Sequence, residues 1–221
     1  MRRLGNALAS SVGKKIVMGL TGLLLVGFLL EHLLGNLKLF EDASGDAFDG
    51  YVAYLKGFGP LLKVAELGLA LLFLVHVYLA FRLTQENWQA RKQRYAVRNN
   101  RGASSPGSVS MFYSGALILG YLLKHLYDFR FDERFFEDPD ALVKATLSSP
   151  GHALVYIVAS LVVGLHLSHG FRSAFQSLGI NHPTWNPVLE KAGKLIAFLF
   201  AAGFAAFPIY FLFFWSNGSR P

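Results

Sequence analysis

Residues 19–36 read GLTGLLLVGFLLEHLLGN, an apolar run in which Glu31 and His32 stand close to the end. A membrane-spanning helix needs about 20 mostly apolar residues, and this run meets that length once its apolar flanks are included. Four more runs of the same kind follow along the chain. The five segments predicted to cross a membrane are 16–40, 61–81, 111–131, 151–171 and 195–215. The sequence therefore predicts an all-α integral membrane protein, with five transmembrane helices in one bundle and a single domain over residues 1–221.

Composition agrees with a membrane protein and excludes several other classes. The chain has 221 residues, of which 53% are hydrophobic and 16% are charged, and its mean hydropathy is +0.38. It contains no cysteine, which excludes disulfides, cysteine-ligated iron–sulfur clusters and covalently attached c-type haem in this chain. The net charge of +7 does not predict nucleic acid as a partner, because the basic residues flank the apolar runs.

The charges between the segments predict the orientation of the chain. Basic residues precede the first segment and occupy the second and fourth connections: Arg2, Arg3, Lys14, Lys15, Arg82, Arg91, Lys92, Arg94, Arg98, Arg101, Arg172, Lys191 and Lys194. The other two connections, 41–49 and 132–140, are acidic. By the positive-inside rule, the N-terminus is predicted to be cytoplasmic and the C-terminus to lie outside.

Four histidines lie inside different apolar segments: His32, His76, His125 and His166. His76 and His166 each stand six residues before an arginine at the cytoplasmic edge, so each lies about 9 Å from that edge at a rise of about 1.5 Å per residue. His32 and His125 lie roughly 22–25 Å from the same edge by the same arithmetic. The spacing predicts one pair, His76 with His166, on the cytoplasmic side and a second pair, His32 with His125, near the outer side.

Paired histidines at two depths predict two b-type haems with bis-histidine ligation. Polar groups at membrane depth are costly and mark functional sites, and a zinc or copper ion would gather its ligands at one depth. For any one of these histidines alone, a hydrogen bond inside the bundle or a proton relay remains the alternative. His169 competes with His166 as a ligand because residues three apart share a helix face; if not a ligand, it is predicted to lie near a haem propionate.

Several charged residues in or near the segments are also candidates for the site. Lys124 and Arg130 are predicted to reach a propionate of the outer haem, with snorkelling to the lipid headgroups as the alternative for Lys124. Glu66 lies about 15 Å outward of His76, at the depth of the outer haem. We expect Glu66 to carry protons at an outer quinone site; a salt bridge to Lys63, three residues away, is the alternative. Glu31 is a weaker candidate.

Six stretches carry a resemblance to a known family: SVGKKIVMGLTG at 11–22, HLLGNL at 32–37, the connection 51–60, Glu66 ten residues before His76, HLYDFR at 125–130, and HLSHGFRSAFQSLG at 166–179. Together they resemble the cytochrome b membrane anchor of succinate dehydrogenases and fumarate reductases, in its single-subunit, five-helix, dihaem form. The resemblance covers nearly the whole chain.

The resemblance implies which histidines hold each haem. In the family, one haem is ligated from the first and third helices and the other from the second and fourth, which corresponds to His32 with His125 and His76 with His166. The family's fourth ligand stands four residues before a glycine, here Gly170, and this favours His166 over His169. Some fumarate-reducing members carry a glutamate two residues before that histidine for proton movement. Here that position is Gly164.

The resemblance also implies a function and partners. The chain would be the quinone-binding, electron-transfer subunit of a succinate:quinone oxidoreductase in the bacterial cytoplasmic membrane, with menaquinone as the expected quinone. An iron–sulfur subunit and a flavoprotein with covalent FAD would be its partners besides membrane lipid, and the complex could form dimers. The dicarboxylate chemistry would belong to the flavoprotein, not to this chain.

Two other functions stay open at this point. One is the dihaem anchor of a nitrate reductase, formate dehydrogenase or hydrogenase, although the lack of a ligand on the fifth helix argues against it. The other is a haem-free transporter with proton-relay histidines.

Overall fold

This computed structural model describes residues 10–41, 44–90 and 106–215. The helices in these ranges are α1 (Ser11–Asn36, continued by a 3-10 turn Leu37–Phe40), α2 (Asp46–Gly57), α3 (Pro60–Ala90), α4 (Pro106–His125, continued by a π turn Leu126–Arg130), α5 (Arg134–Glu137), α6 (Pro139–Ser148), α7 (Pro150–Ser177) and α8 (Asn186–Phe213). The described ranges contain no strand, so the all-α prediction is confirmed. Arg2, Arg3, Asp42 and the basic residues of 91–101, which contribute to the predicted orientation, lie outside the described residues.

Within the described ranges, four helices are long and apolar enough to cross a membrane: Ser11–Phe40, Pro60–Gln89, Pro150–Ser177 and Asn186–Phe213. Their apolar side chains face outward, since only 11% of the apolar stretch of α1 and 6% of that of α3 is buried inside the protein. Leu24, Leu67 and Leu161, for example, are each more than half exposed. Soluble monomers rarely expose apolar surface on this scale, so the prediction of a membrane protein is confirmed.

α4 corresponds to the predicted third span but is not one of these four helices. It contains serines, tyrosines and glycines, and it ends on Lys124 and His125. It packs along α7 and buries Ser114 there. Length and composition therefore support four spans, one fewer than predicted.

α3 and α8 extend well past the predicted spans because ion pairs support their polar ends. Near the end of α3, Glu86 pairs with Lys14 at the start of α1. Near the start of α8, Glu190 lies 3.1 Å from Arg172 of α7 and 2.8 Å from Lys194. The sequence analysis placed Arg172 and Lys194 in a connection, but pairs four residues apart, such as Glu190 with Lys194, also stabilise helices.

Small residues set the closest helix crossings around α7. A Cβ on Gly164 of α7 would lie 2.7 Å from the Cβ of Ala201 on α8. A Cβ on Gly19 of α1 would lie 3.0 Å from the carbonyl oxygen of Ala174 on α7. Close approach through small residues is how helices pack in lipid. α7 is thus the central helix, and it packs against α1, α4 and α8.

α3 is the most peripheral of the long helices. It packs along α1 and meets α4 near its two ends. At one end the ring centroid of Phe112 lies 5.9 Å from that of Phe81 and 5.5 Å from that of Trp88. At the other end Glu66 is 3.0 Å from Arg130, in the π turn after α4. In the described part of the chain, α4 has no extensive backbone packing with α1 or α3.

The two acidic connections fold as short helices that close one end of the bundle. Apolar residues of α2 and α6 pack with the ends of the long helices: Phe48, Val52, Leu142, Val143, Leu147, Phe129, Phe207 and Phe211. Asp140 and Lys144 of α6 form an ion pair at 2.6 Å, with side chains only 7% and 4% exposed. We call this end of the bundle the Asp140 end and the opposite one the Lys14 end.

Candidate functional site

His32 of α1 and His125 of α4 face each other in the half of the bundle next to the Asp140 end. Their ring centroids are 5.7 Å apart, and the ring planes are at 89° to each other. Phe28 stacks on His32 at 5.5 Å, and Phe204 of α8 lies 5.8 Å from the same ring. The structure therefore brings together the two histidines that were predicted to lie near the outer side.

Aromatic rings enclose His125 on its other sides. The ring centroids of Tyr121, Phe129 and Tyr156 lie 5.8, 5.2 and 6.1 Å from that of His125. Nδ1 of His125 is buried, and it makes no hydrogen bond within the described residues. A buried ring nitrogen without a partner is rare in proteins, so this atom marks a site that side chains alone leave incomplete.

His76 of α3 and His166 of α7 form the second pair, towards the Lys14 end. The two rings are close enough to interact electrostatically. Nδ1 of His76 is 3.1 Å from Oγ1 of Thr21 on α1, and Nδ1 of His166 is 3.0 Å from Oγ of Ser114 on α4. The sequence analysis missed Thr21 and Ser114. Their signal was a hydroxyl residue followed by glycine inside an otherwise apolar helix.

His169 lies one turn beyond His166 and is half-buried. It interacts electrostatically with Arg172, near the end of α7. Of the two competing histidines, His166 lies near His76 and shares a hydrogen bond with Ser114. The geometry thus favours His166 as the partner of His76.

Lys124 forms an ion pair with Asp128. Its Nζ lies 2.9 and 2.7 Å from the two carboxylate oxygens of Asp128, one turn further on. The hydroxyl of Tyr156 on α7 donates to the same carboxylate at 2.8 Å. Asp128 is thus a buried acceptor that holds α4 and α7 together, and the propionate role of Lys124 stays a prediction.

An open cleft of about 580 Å³ at the Asp140 end leads to Asp128. Asp132, Arg134 and His152 are among its lining residues. A hydrogen bond from Arg134 holds the pKa of the Asp132 carboxyl below its usual range. Nε2 of His152 lies 3.9 Å from Oδ1 of Asp128. The cleft therefore joins the surface to the buried carboxylate.

Glu66 forms an ion pair with Arg130. The salt bridge to Lys63, which the sequence analysis gave as the alternative role of Glu66, is not formed. The Arg130 guanidinium donates to the Glu66 carboxylate at 3.0 Å, and both side chains are exposed. Arg130 also lies over the ring of Phe136, 5.5 Å from its centroid. These contacts direct Arg130 to Glu66 and to the surface, and they differ from the propionate contact predicted for it.

The described residues contain no cluster of three or more histidine or carboxylate groups that could hold a metal ion by themselves. The available donors are instead two pairs of imidazoles, one at each level of a helical membrane bundle. No protein family, characterised protein or solved structure matched this chain. The site geometry and the sequence motifs are therefore the basis for a proposal about function.

Proposed function

We propose that this chain is the dihaem cytochrome b anchor of a succinate:quinone oxidoreductase. It would carry electrons between an iron–sulfur subunit and a membrane quinone, with menaquinone as the expected quinone. The proposal includes α4 as a fifth span and places the protein in the bacterial cytoplasmic membrane. The observation that carries it is the presence of two histidine pairs at two levels of the bundle.

Each histidine pair joins helices that do not otherwise pack closely. His32 and His125 connect α1 with α4, and His76 and His166 connect α3 with α7. Neither pair of helices has extensive backbone contact in the described ranges. Protein interiors are close-packed, so a group held by the histidines of each pair would complete the packing between these helices.

The donor set fits b-type haem. Axial imidazoles are common haem ligands, and each pair supplies two of them from different helices. The unpartnered Nδ1 of His125 and the aromatic rings around it suit a flat apolar group with polar edges. When bound, such haems would supply one-electron transfer. The protein's part is to hold the imidazoles at fixed positions and to exclude water with rings such as Phe28 and Phe204.

The partners are assigned by charge and by resemblance. The Lys14 end carries the exposed basic residues Lys15, Lys191 and Lys194, and we assign it to the cytoplasmic side. The iron–sulfur subunit would bind there, next to His76 and His166, and the flavoprotein would bind the iron–sulfur subunit.

Quinone would bind towards the Asp140 end, nearer His32 and His125. Glu66 is exposed on the flank of the bundle, where a quinone dissolved in lipid could reach it. Its carboxylate accepts a hydrogen bond from the Arg130 guanidinium, and a carboxylate held in this way can serve as a general base. We therefore retain Glu66 as the proposed proton carrier, with Arg130 rather than Lys63 as the group that holds it.

The test is a reduced-minus-oxidised spectrum of the purified chain, expressed with ample haem supply. We expect two b-type components. His125→Ala and His32→Ala should lose one component, and His76→Ala and His166→Ala should lose the other. His182→Ala is the matched control, because His182 is exposed and lies in the turn before α8.

Three outcomes would contradict the proposal. A colourless wild-type chain would remove it and favour the transporter. Loss of the same component in His32→Ala and His76→Ala would contradict the pairing. Haem binding by a complex that contains no flavoprotein and reacts with nitrate, formate or hydrogen would favour the other class of dihaem anchor.

A further inference from the structure

Thr21 and Ser114 hold equivalent positions against the second histidine pair. Both are buried, Thr21 on α1 and Ser114 on α4. The Thr21 hydroxyl lies 3.0 Å from the carbonyl oxygen of Met18 and 3.1 Å from Nδ1 of His76. The Ser114 hydroxyl lies 3.2 Å from the carbonyl oxygen of Met111 and 3.0 Å from Nδ1 of His166. The same arrangement thus occurs twice, on helices that are not neighbours.

The proton count of each hydroxyl decides the direction of these hydrogen bonds. A hydroxyl has one proton and can also accept. In a helix, serine and threonine donate that proton to a carbonyl one turn earlier, which is where Met18 and Met111 stand. The hydroxyl can then only accept from the ring. Nδ1 of each histidine therefore carries the hydrogen, and Nε2 is left with a free lone pair.

Gly22 follows Thr21 and Gly115 follows Ser114, and the absence of a Cβ at each glycine leaves room for the edge of the neighbouring histidine ring. A Cβ on Gly22 would lie 3.4 Å from Cε1 of His76, and a Cβ on Gly115 would lie 3.5 Å from Cε1 of His166. Each ring is thus held along its Nδ1–Cε1 edge. His125 offers a contrast, since its Nδ1 has no hydrogen-bond partner in the described residues.

We propose that Thr21 and Ser114 are positioning residues that fix the tautomers of His76 and His166 with Nε2 as the iron-binding atom. The inference rests on the haem ligation proposed above. A ligand histidine that donates its second N–H is oriented by that bond and becomes a stronger electron donor. The two hydroxyls would therefore stabilise the oxidised iron of this haem, and not that of the haem held by His125.

The test uses the full-length chain with haem bound and measures both midpoint potentials by redox titration. Thr21→Val and Ser114→Ala remove a hydroxyl with little change of shape. Each should weaken the preference for oxidised iron about tenfold, which raises one midpoint potential by about 59 mV for a one-electron couple. The other haem is the internal control and should not shift. Thr21→Ser and Ser114→Thr retain a hydroxyl and should keep the wild-type potential.

The outcomes separate this assignment from the proposed function. If Thr21→Val and Ser114→Ala bind both haems with unchanged potentials, the assignment is wrong and the proposed function stands. If a variant loses this haem while its hydroxyl-retaining counterpart keeps it, the assignment is supported. Equal haem loss in both counterparts would show that side-chain shape is what matters and would overturn it. A colourless wild-type chain would overturn the proposed function and the assignment together.

Discussion

The ion pair between Asp140 and Lys144 should be a strong determinant of stability at the Asp140 end. The charged atoms lie 2.6 Å apart with the side chains 7% and 4% exposed. Removing one member of such a pair leaves an unpaired buried charge, which costs about 3–5 kcal/mol. We expect Asp140→Asn and Lys144→Met each to fall in this range. At about 2–4 °C per kcal/mol for a chain of this size, the melting temperature should drop by roughly 6–20 °C.

The two variants should respond to pH differently. Burial raises the pKa of Asp140 above its usual value of 3.8, and Lys144 opposes that shift. The folded state then holds the Asp140 proton more tightly than the unfolded chain does. The stability that this proton contributes is therefore lost as the pH rises from the usual pKa of 3.8 through the raised pKa of the folded state. Without Lys144 the pKa rises further. Lys144→Met should therefore regain stability on acidification, because protonation removes the unpaired charge of Asp140. Asp140→Asn has no carboxyl at this position and should not regain stability by protonation there.

Thermal unfolding in detergent, followed by circular dichroism at neutral and at acid pH, measures these effects. The double variant Asp140→Asn/Lys144→Met leaves no unpaired charge and should cost less than either single change. If the single changes each cost under about 1 kcal/mol and add up in the double variant, the two charges are solvated and the reasoning fails.

Three further substitutions test other parts of the structure. Gly45→Ala should destabilise the protein by about 1–3 kcal/mol, because φ is 92° and a Cβ would clash with Oδ2 of Asp140. Gly50→Ala is the control, because a Cβ at Gly50 would contact no other atom. Gly164→Leu should lower the melting temperature by separating α7 from α8, and an unchanged value would contradict that close contact. Glu66→Gln should slow quinone turnover at constant haem content while Lys63→Gln does not; full turnover in Glu66→Gln would remove its proposed role.

The levels of the histidines could be predicted because an α-helix has a constant rise. Counting residues from the charged edges was enough to group His32 with His125 and His76 with His166, with no knowledge of how the helices pack. The apolar runs likewise predicted the four long helices. α4 was harder to predict as a span, because its serines, tyrosines and glycines weaken the apolar signal. Its packing on α7, which stabilises the helix, cannot be read from the sequence.

Side-chain partners distant in the sequence could not be predicted in this way. Glu66 and Arg130 are 64 residues apart, and only the crossing of α3 over the end of α4 brings them together. The sequence analysis assigned Asp128 neither to the acidic connection nor to the site. In the structure, Lys124 and Tyr156 both donate hydrogen bonds to its carboxylate. Lys14, Arg172 and Lys194, which were expected outside the spans, form ion pairs, so helices continue where a charge pattern alone predicts an end.

The loose attachment of α3 bears on how the molecule matures. α3 packs against α1 and contacts α4 at two places, Phe112 near one end and Arg130 near the other. Between these two contacts, α3 and α4 have no extensive backbone packing in the described residues. In the function proposed above, a planar macrocycle dissolved in lipid would approach His76 and His166 from this flank, so loading would follow membrane insertion and precede assembly with the proposed soluble subunits.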